Sequence, residues 1–228
     1  MQVKISSAVL SLISVVLLAG CASVKTPADN PVRVAQSSEN GNVVSSVSES
    51  PAVPVVPKVL HLGLALGGGA ARGFAHVGVI QVLEEAGIQP ELVVGTSAGS
   101  LVAALYASGK SSAQLKHVAE TMDEAEITDW MMPILNRGAL RGEALARYVN
   151  NQVGGRLIEQ MKLPLGIVAT DLHSGEPVLF RRGNTGSAVR ASSAVPAVFQ
   201  PVKIGAREYV DGGLVSPVPV RQARDMGA

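Results

Sequence analysis

LVVGTSAGSLVAALY, Leu92–Tyr106, is the stretch that decides the fold. It opens on an apolar run, Leu92 to Val94, too short for a helix and unbroken in the way of a strand buried on both faces. Gly95-Thr96-Ser97-Ala98-Gly99 interrupts the run, and Leu101, Val102, Leu105 and Tyr106 then recur at helical spacing until Gly109. Strand, small-residue turn and helix is the arrangement that lifts a serine Oγ clear of its neighbours, because so sharp a turn leaves no room for side chains at Gly95 or Gly99. The start of the helix also places positive dipole beside any negative charge that develops there. The string G-x-S-x-G is weak by itself. A chain with 24 glycines meets it easily by chance, and a serine that only caps the helix would read the same.

Working outward, Val59 to Leu66 is a strand, Gly67 to Gly73 a glycine-rich turn, and Phe74 to Ala86 a helix stopped at Gly87. Beyond the central stretch, Ser111 or Ser112 caps a helix carrying Leu115, Val118 and Met122. Trp130 to Arg141 reads as loop, with part of a lid as the alternative. Glu143 to Val153 and Ser187 to Ser193 are helices, and Leu165 to Thr170, Glu176 to Arg181 and Glu208 to Val210 are strands. Val220 to Met226 is a short helix ended by Gly227. Strands alternating with helices imply an α/β layer fold with a mostly parallel central sheet, whose ligands bind beyond the carboxyl ends of the strands. A strand is expected after the last helix and none follows, so the domain is expected to be truncated at its C-terminal end.

Composition removes several classes of function. The chain of 228 residues carries 19 Lys and Arg against 18 Asp and Glu, a net charge of +1. That is no footprint for a nucleic acid. Aromatic residues make up 3% and AVILMFWYC 47%, so the core is aliphatic. With one cysteine there is no intrachain disulfide and no multi-thiolate metal site, and the four histidines, His61, His76, His117 and His173, lack metal-ligand spacing.

The first residues form a separate region. Lys4 precedes an apolar run from Ile5 to Leu18 that is too short to span a bilayer and reads as an export signal over residues 1–20. Leu18-Ala19-Gly20-Cys21 resembles the bacterial lipoprotein signal, in which the cysteine is lipidated; the other reading is an ordinary signal peptide with an incidental cysteine. The only cysteine of the chain sits where lipidation needs it. Residues 21–57, punctuated by Pro27, Pro31, Pro51, Pro54 and Pro57, read as a tether with a reach of roughly 30–35 Å. The folded domain is expected over 58–228. The resulting expectation is a lipid-anchored protein of the bacterial cell envelope, on the outer-membrane or periplasmic side, held to the membrane by its acyl chains.

Two further elements carry chemistry. Gly67-Gly68-Gly69-Ala70-Ala71-Arg72-Gly73 lets backbone N–H groups approach an anion. It fails both nucleotide signatures: no Lys follows, and Arg72 stands where the third glycine of G-x-G-x-x-G belongs. No nucleotide is therefore expected. The remaining uses are an oxyanion hole or a plain tight turn. Asp211-Gly212-Gly213 follows the strand ending at Val210. A serine nucleophile needs a base, and the usual order places a histidine after the acid. No histidine follows Asp211, so either the histidine lies beyond this chain or Asp211 is itself the base. Asp171 is the rival, and an Asp-Gly-Gly that merely turns the chain remains a further reading.

Taken together, LGGGAARGFAHVGVIQVLEE from Leu66, GTSAGS from Gly95, VATDLHSGEPVLFRRG from Val168, RASSAVPAVFQPV from Arg190 and YVDGG from Tyr209 resemble the patatin-like phospholipase family, in its bacterial branch. The resemblance covers Leu60 to Ala228. It implies a three-layer α/β/α fold and a lipid acyl hydrolase with a Ser–Asp dyad, without histidine, metal or cofactor. By position it makes Ser97 the nucleophile and Asp211 the base. Gly67, Gly68, Gly69, Ala70 and Arg72 become the oxyanion region, Gly95 and Gly99 the elbow glycines, and His76 a structural helix residue. Ala70 stands where the family loop often has another glycine. The implied partner is a phospholipid or another acyl-ester lipid. The alternatives are a catalytically inactive lipid-binding or scaffold lipoprotein of the same fold and, with less support from the residues, a nucleotide-binding module.

Overall fold

The computed structural model describes residues 61–123 and 138–228. The expected export signal, Cys21, the expected tether and the stretch 124–137 lie outside the described residues.

The strands are β1 (Gly63–Leu66), β2 (Leu92–Thr96), β3 (Gly138–Leu140), β4 (Leu165–Asp171), β5 (Pro177–Phe180), β6 (Ala197–Phe199), β7 (Val202–Ile204) and β8 (Arg207–Asp211). The helices are α1 (Ala75–Glu85), α2 (Ala98–Ala107), α3 (Ser112–Thr121), α4 (Glu143–Gln152), α5 (Thr185–Ser192) and α6 (Val220–Asp225). The main sheet has six strands in the order β1-β2-β4-β8-β7, with β5 also paired to β4. β1, β2, β4 and β7 run one way, and β5 and β8 run the other.

Both faces of β2 are buried, and its residues alternate between two cores. Val93 enters a cluster with Ile80, Val102, Leu105, Leu115, Leu145, Val149 and Val189 from the helices of one face. Leu92 and Val94 join Val168 and Ala223 on the other, where α6 covers the sheet. That accounts for the unbroken apolar runs in β2 and β4 and makes three layers, helix on sheet on helix. α3 starts at a capping box in which the Ser111 side chain accepts from Gln114 N, so Ser111 rather than Ser112 is the cap.

The sheet departs from the expected one in three places. Gly138–Leu140, read as loop, is a strand that pairs in parallel with Ala197–Phe199 in a separate two-stranded sheet. β7 was not foreseen, because three residues between Pro201 and Gly205 show no period. β5 and β8 are antiparallel to β4. β5 returns through the tight turn after Asp171, too short for a crossover helix.

One detail of register positions the site. β4 pairs with β5 along one edge over Ile167–Thr170. Its other edge must therefore serve both β2, opposite Leu165–Val168, and β8, opposite Ala169–Asp171. β2 and β8 thus meet end to end: Thr96 faces Val168 and Asp211 faces Ala169.

Candidate active site

That junction delivers Ser97, the residue after β2, to Asp211, the last residue of β8. Ser97 Oγ donates to Asp211 Oδ2 at 2.7 Å. Ser97 has φ 51° and ψ −126°, a conformation that a residue with a Cβ adopts only when its surroundings impose it. Although it stands at the N-cap position of α2, its side chain makes no capping bond. The capping reading is thereby set aside.

The glycines around the turn are there because backbone lies against backbone. A Cβ at Gly95 would sit 2.4 Å from Gly99 O, and one at Gly99 would sit 2.3 Å from Leu66 O. Gly73 is equally tight, since its Cβ would come 2.6 Å from Ala98 Cβ. The same holds at the acid, where a Cβ on Gly212 would meet Val168 O at 2.2 Å. Gly212 lets the chain turn off β8 directly over β4.

Asp211 is buried, with 6% of its surface exposed. Its Oδ1 accepts from Gly213 N at 2.6 Å, so the Asp-Gly-Gly is indeed a turn, with Oδ2 left for Ser97. Burial pushes the carboxyl above its ordinary value, against the two hydrogen bonds, which pull it down. Asp171, the rival, is occupied elsewhere. Its Oδ1 accepts from His173 N and Ser174 N at 2.9 and 3.0 Å, and Oδ2 accepts from Arg207 at 3.0 Å. The Ser174 amide leads in holding its carboxyl below the usual range.

Three buried hydroxyls, given no role by the sequence reading, tie the pieces together. Ser97 N donates to Ser192 Oγ at 2.8 Å, and Ser192 Oγ donates to Val168 O. Thr170 Oγ1 donates to Asp211 O at 2.8 Å, and Thr96 Oγ1 to Ser216 O at 2.9 Å. Asp211 N donates to Ala194 O at 2.9 Å, so Ser192 to Ala194, at the end of α5, hold the amides of both Ser97 and Asp211. Ser192 lay inside the quoted RASS motif, but nothing local marks a hydroxyl whose partner is 95 residues away.

The glycine loop borders the serine. A Cβ on Gly68 would lie 3.2 Å from Ser97 Cβ. The Gly68 amide is engaged, donating to Pro217 O at 2.9 Å, which corrects its expected place among the oxyanion donors. Gly69, with φ 153°, and Ala70, with φ 49°, lead into a 3-10 turn over Ala70–Phe74, and the first amides of such a turn have no acceptor within it. Ala70 occupies a left-handed conformation that suits the glycine often found at this point in the family. Arg72 is exposed and its Cβ lies by Gly69. His76 bonds through Nε2 to Gly67 O at 2.8 Å and so braces the loop from α1, as its structural reading requires. The His173 side chain is exposed in the turn after β4. Among the described residues no three His, Cys, Asp or Glu side chains gather as a metal site would need, and no helix is long and apolar enough to cross a membrane.

The family model described as patatin-like phospholipase matches residues 64–224. An uncharacterized NTE family protein of Mycobacterium bovis is 39% identical over 160 residues, which is 70% of this chain and 44% of that one. Patatin-like phospholipase domain-containing protein 6 of Mus musculus is 34% identical over 175 residues, 73% of this chain and 13% of the relative. The chain thus matches less than half the length of either. Among solved structures, VipD from Legionella pneumophila superposes with a TM-score of 0.53 at 18% identity, covering 67% of this chain and 46% of that one, a likeness of fold. With the model covering most of the domain and these relatives agreeing, the chain belongs to the patatin-like phospholipase family.

Proposed function

We propose that the protein is a serine acyl hydrolase of phospholipids or related acyl-ester lipids, of the phospholipase A or lysophospholipase type. The observation that carries this reading is the 2.7 Å contact from Ser97 Oγ to a buried Asp211 carboxylate. A free aspartate, with a pKa near ~3.9, is a feeble base towards a hydroxyl. Burial makes this one stronger.

Ser97 Oγ attacks the ester carbonyl carbon as its proton passes to Asp211 Oδ2. The oxyanion is held by the amides of Gly69 and Ala70 and by the N-terminal end of α2. Collapse of the tetrahedral intermediate breaks the ester C–O bond, and the leaving alcohol takes the proton from Asp211. Water, deprotonated by Asp211, then attacks acyl-Ser97; the acyl C–O bond breaks as Asp211 returns the proton to Ser97 Oγ, and the fatty acid is freed. The protein's setting is part of the proposal. Residues 1–20 direct export, Cys21 carries the lipid, 21–57 tether the domain over 58–228, and the anchor keeps the site at the envelope membrane where its substrate is concentrated.

Mass spectrometry of products from mixed phospholipid vesicles tests the reaction, with release of free fatty acid expected. A fluorophosphonate probe should label Ser97 and should fail to label Ser97→Ala. A folded protein that neither labels nor releases fatty acid would instead be the inactive lipid-binding protein.

A further inference from the structure

Leu214-Val215-Ser216-Pro217-Val218-Pro219-Val220 crosses the site directly after Asp211 with its polarity inverted. Its one polar side chain, Ser216, is buried and donates to Gln222 Oε1 at 3.0 Å. Two of its carbonyls are also turned inward, Ser216 O towards Thr96 Oγ1 and Pro217 O towards Gly68 N. Its aliphatic side chains face out: Leu214 is 59% exposed, Val215 38%, Val218 56% and Val220 46%. The segment is fixed on its inner side to the elbow strand and the glycine loop, and the side chains it exposes are aliphatic. Two exposed arginines flank it, Arg72 in the turn that leaves the loop and Arg221 immediately after Val220, and neither forms an ion pair among the described residues.

We infer that this strap inserts into the surface of an anionic phospholipid bilayer, with Arg72 and Arg221 at the level of the phosphates, and so turns the mouth of the site onto the membrane. The inference rests on the functional reading above and names the surface that reading needs. An apolar ridge rimmed by cations is the chemistry that such an interface takes up. A tether alone holds the domain nearby without orienting it.

The test uses the full chain carrying Cys21→Ser, which removes the thiol an anchor would need, with and without Leu214→Ser and Val220→Ser. On vesicles of phosphatidylcholine with phosphatidylglycerol the rate should fall about tenfold per replaced side chain. Hydrolysis of a water-soluble short-chain ester should not change, which also reports an intact fold. Leu214→Trp, in a chain with Trp130→Phe, reads insertion without turnover. Its emission should shift to the blue and be quenched by lipids brominated in their acyl chains. Equal losses on both substrates, or emission that stays at the water-exposed wavelength while the chain sediments with vesicles, overturns the inference. So does a dimer in light scattering that Leu214→Ser dissociates, which would give the strap to a second copy. If the parent hydrolyses neither substrate, the functional reading fails, and the tryptophan signal still decides the strap.

Discussion

Replacing Ser192 by alanine removes one oxygen atom from a residue with 0% exposure. That oxygen accepts from Ser97 N at 2.8 Å and donates to Val168 O. Each buried group deprived of its partner costs about 1–3 kcal/mol, so the pair amounts to about 2–6 kcal/mol. With a urea slope of about 2 kcal/mol/M, typical of small domains, the unfolding midpoint should fall by about 1–3 M. The effect on turnover has a separate origin. Ser97 is held at φ 51° and ψ −126°, a strain of about 1–3 kcal/mol that relaxes once its amide is released. A nucleophile displaced by about 1 Å loses on the order of 10²-fold in rate. The assay is urea unfolding beside steady-state kinetics. We expect kcat to fall about 10²-fold and KM to move by no more than about twofold, since the hydroxyl is buried beneath the elbow. Ser192→Thr keeps the hydroxyl and should restore more of kcat than of stability, because its extra methyl enters a filled slot. A Ser192→Ala protein with the parent's midpoint and the parent's kcat would refute the reasoning.

The remaining expectations concern charge and backbone. Asp211 must be ionised to act, so the acid limb of kcat/KM should lie above the ordinary aspartate value near ~3.9, and Asp211→Asn should abolish ester cleavage while His173→Ala leaves most of it. Because folding raises this carboxyl, its contribution to stability is greatest below the unfolded value and is lost as pH rises through the folded one. Asp211→Asn should therefore raise Tm relative to the parent more at pH 8 than at pH 4, as read by calorimetry. Asp171 has the opposite sign: its depressed carboxyl stabilises above the unfolded value and loses that contribution as pH falls through the folded one. Asp171→Asn should flatten the acid side of the Tm profile and leave turnover intact. Gly99→Ala, which drives a Cβ to 2.3 Å from Leu66 O, should prevent accumulation of folded protein, whereas Gly78→Ala, on α1 with nothing within 4 Å, should stabilise by about 0.5–1 kcal/mol in the same unfolding assay.

What the sequence disclosed and what it withheld follow from the range of the interactions. The turn at Gly95 to Gly99 was legible because steric demand there is local, and β2 and β4 were legible because strands buried on both faces must be apolar throughout. The three-residue strands β3 and β7 are shorter than one full test of periodicity, and β3 exists only because Ala197–Phe199 lies beside it. That β2 and β8 share an edge of β4 is a property of pairing and leaves no mark on any one segment. The Ser192 bond is hidden for the same reason, as is the capture of the Gly68 amide by Pro217, which moved the candidate oxyanion donors one residue along the loop.

The end-to-end meeting of β2 and β8 has a consequence in time. Ser97 and Asp211 are 114 residues apart, yet Thr96, just before the serine, and Asp211 itself are ranged against neighbouring residues of one strand. A chain emerging from the ribosome delivers the hydroxyl first, the strand that measures its height next, and the carboxylate after both. Until β8 slides into the half of the edge that β2 leaves vacant, the serine idles. The two side chains are therefore brought together only once β8 is stitched onto β4.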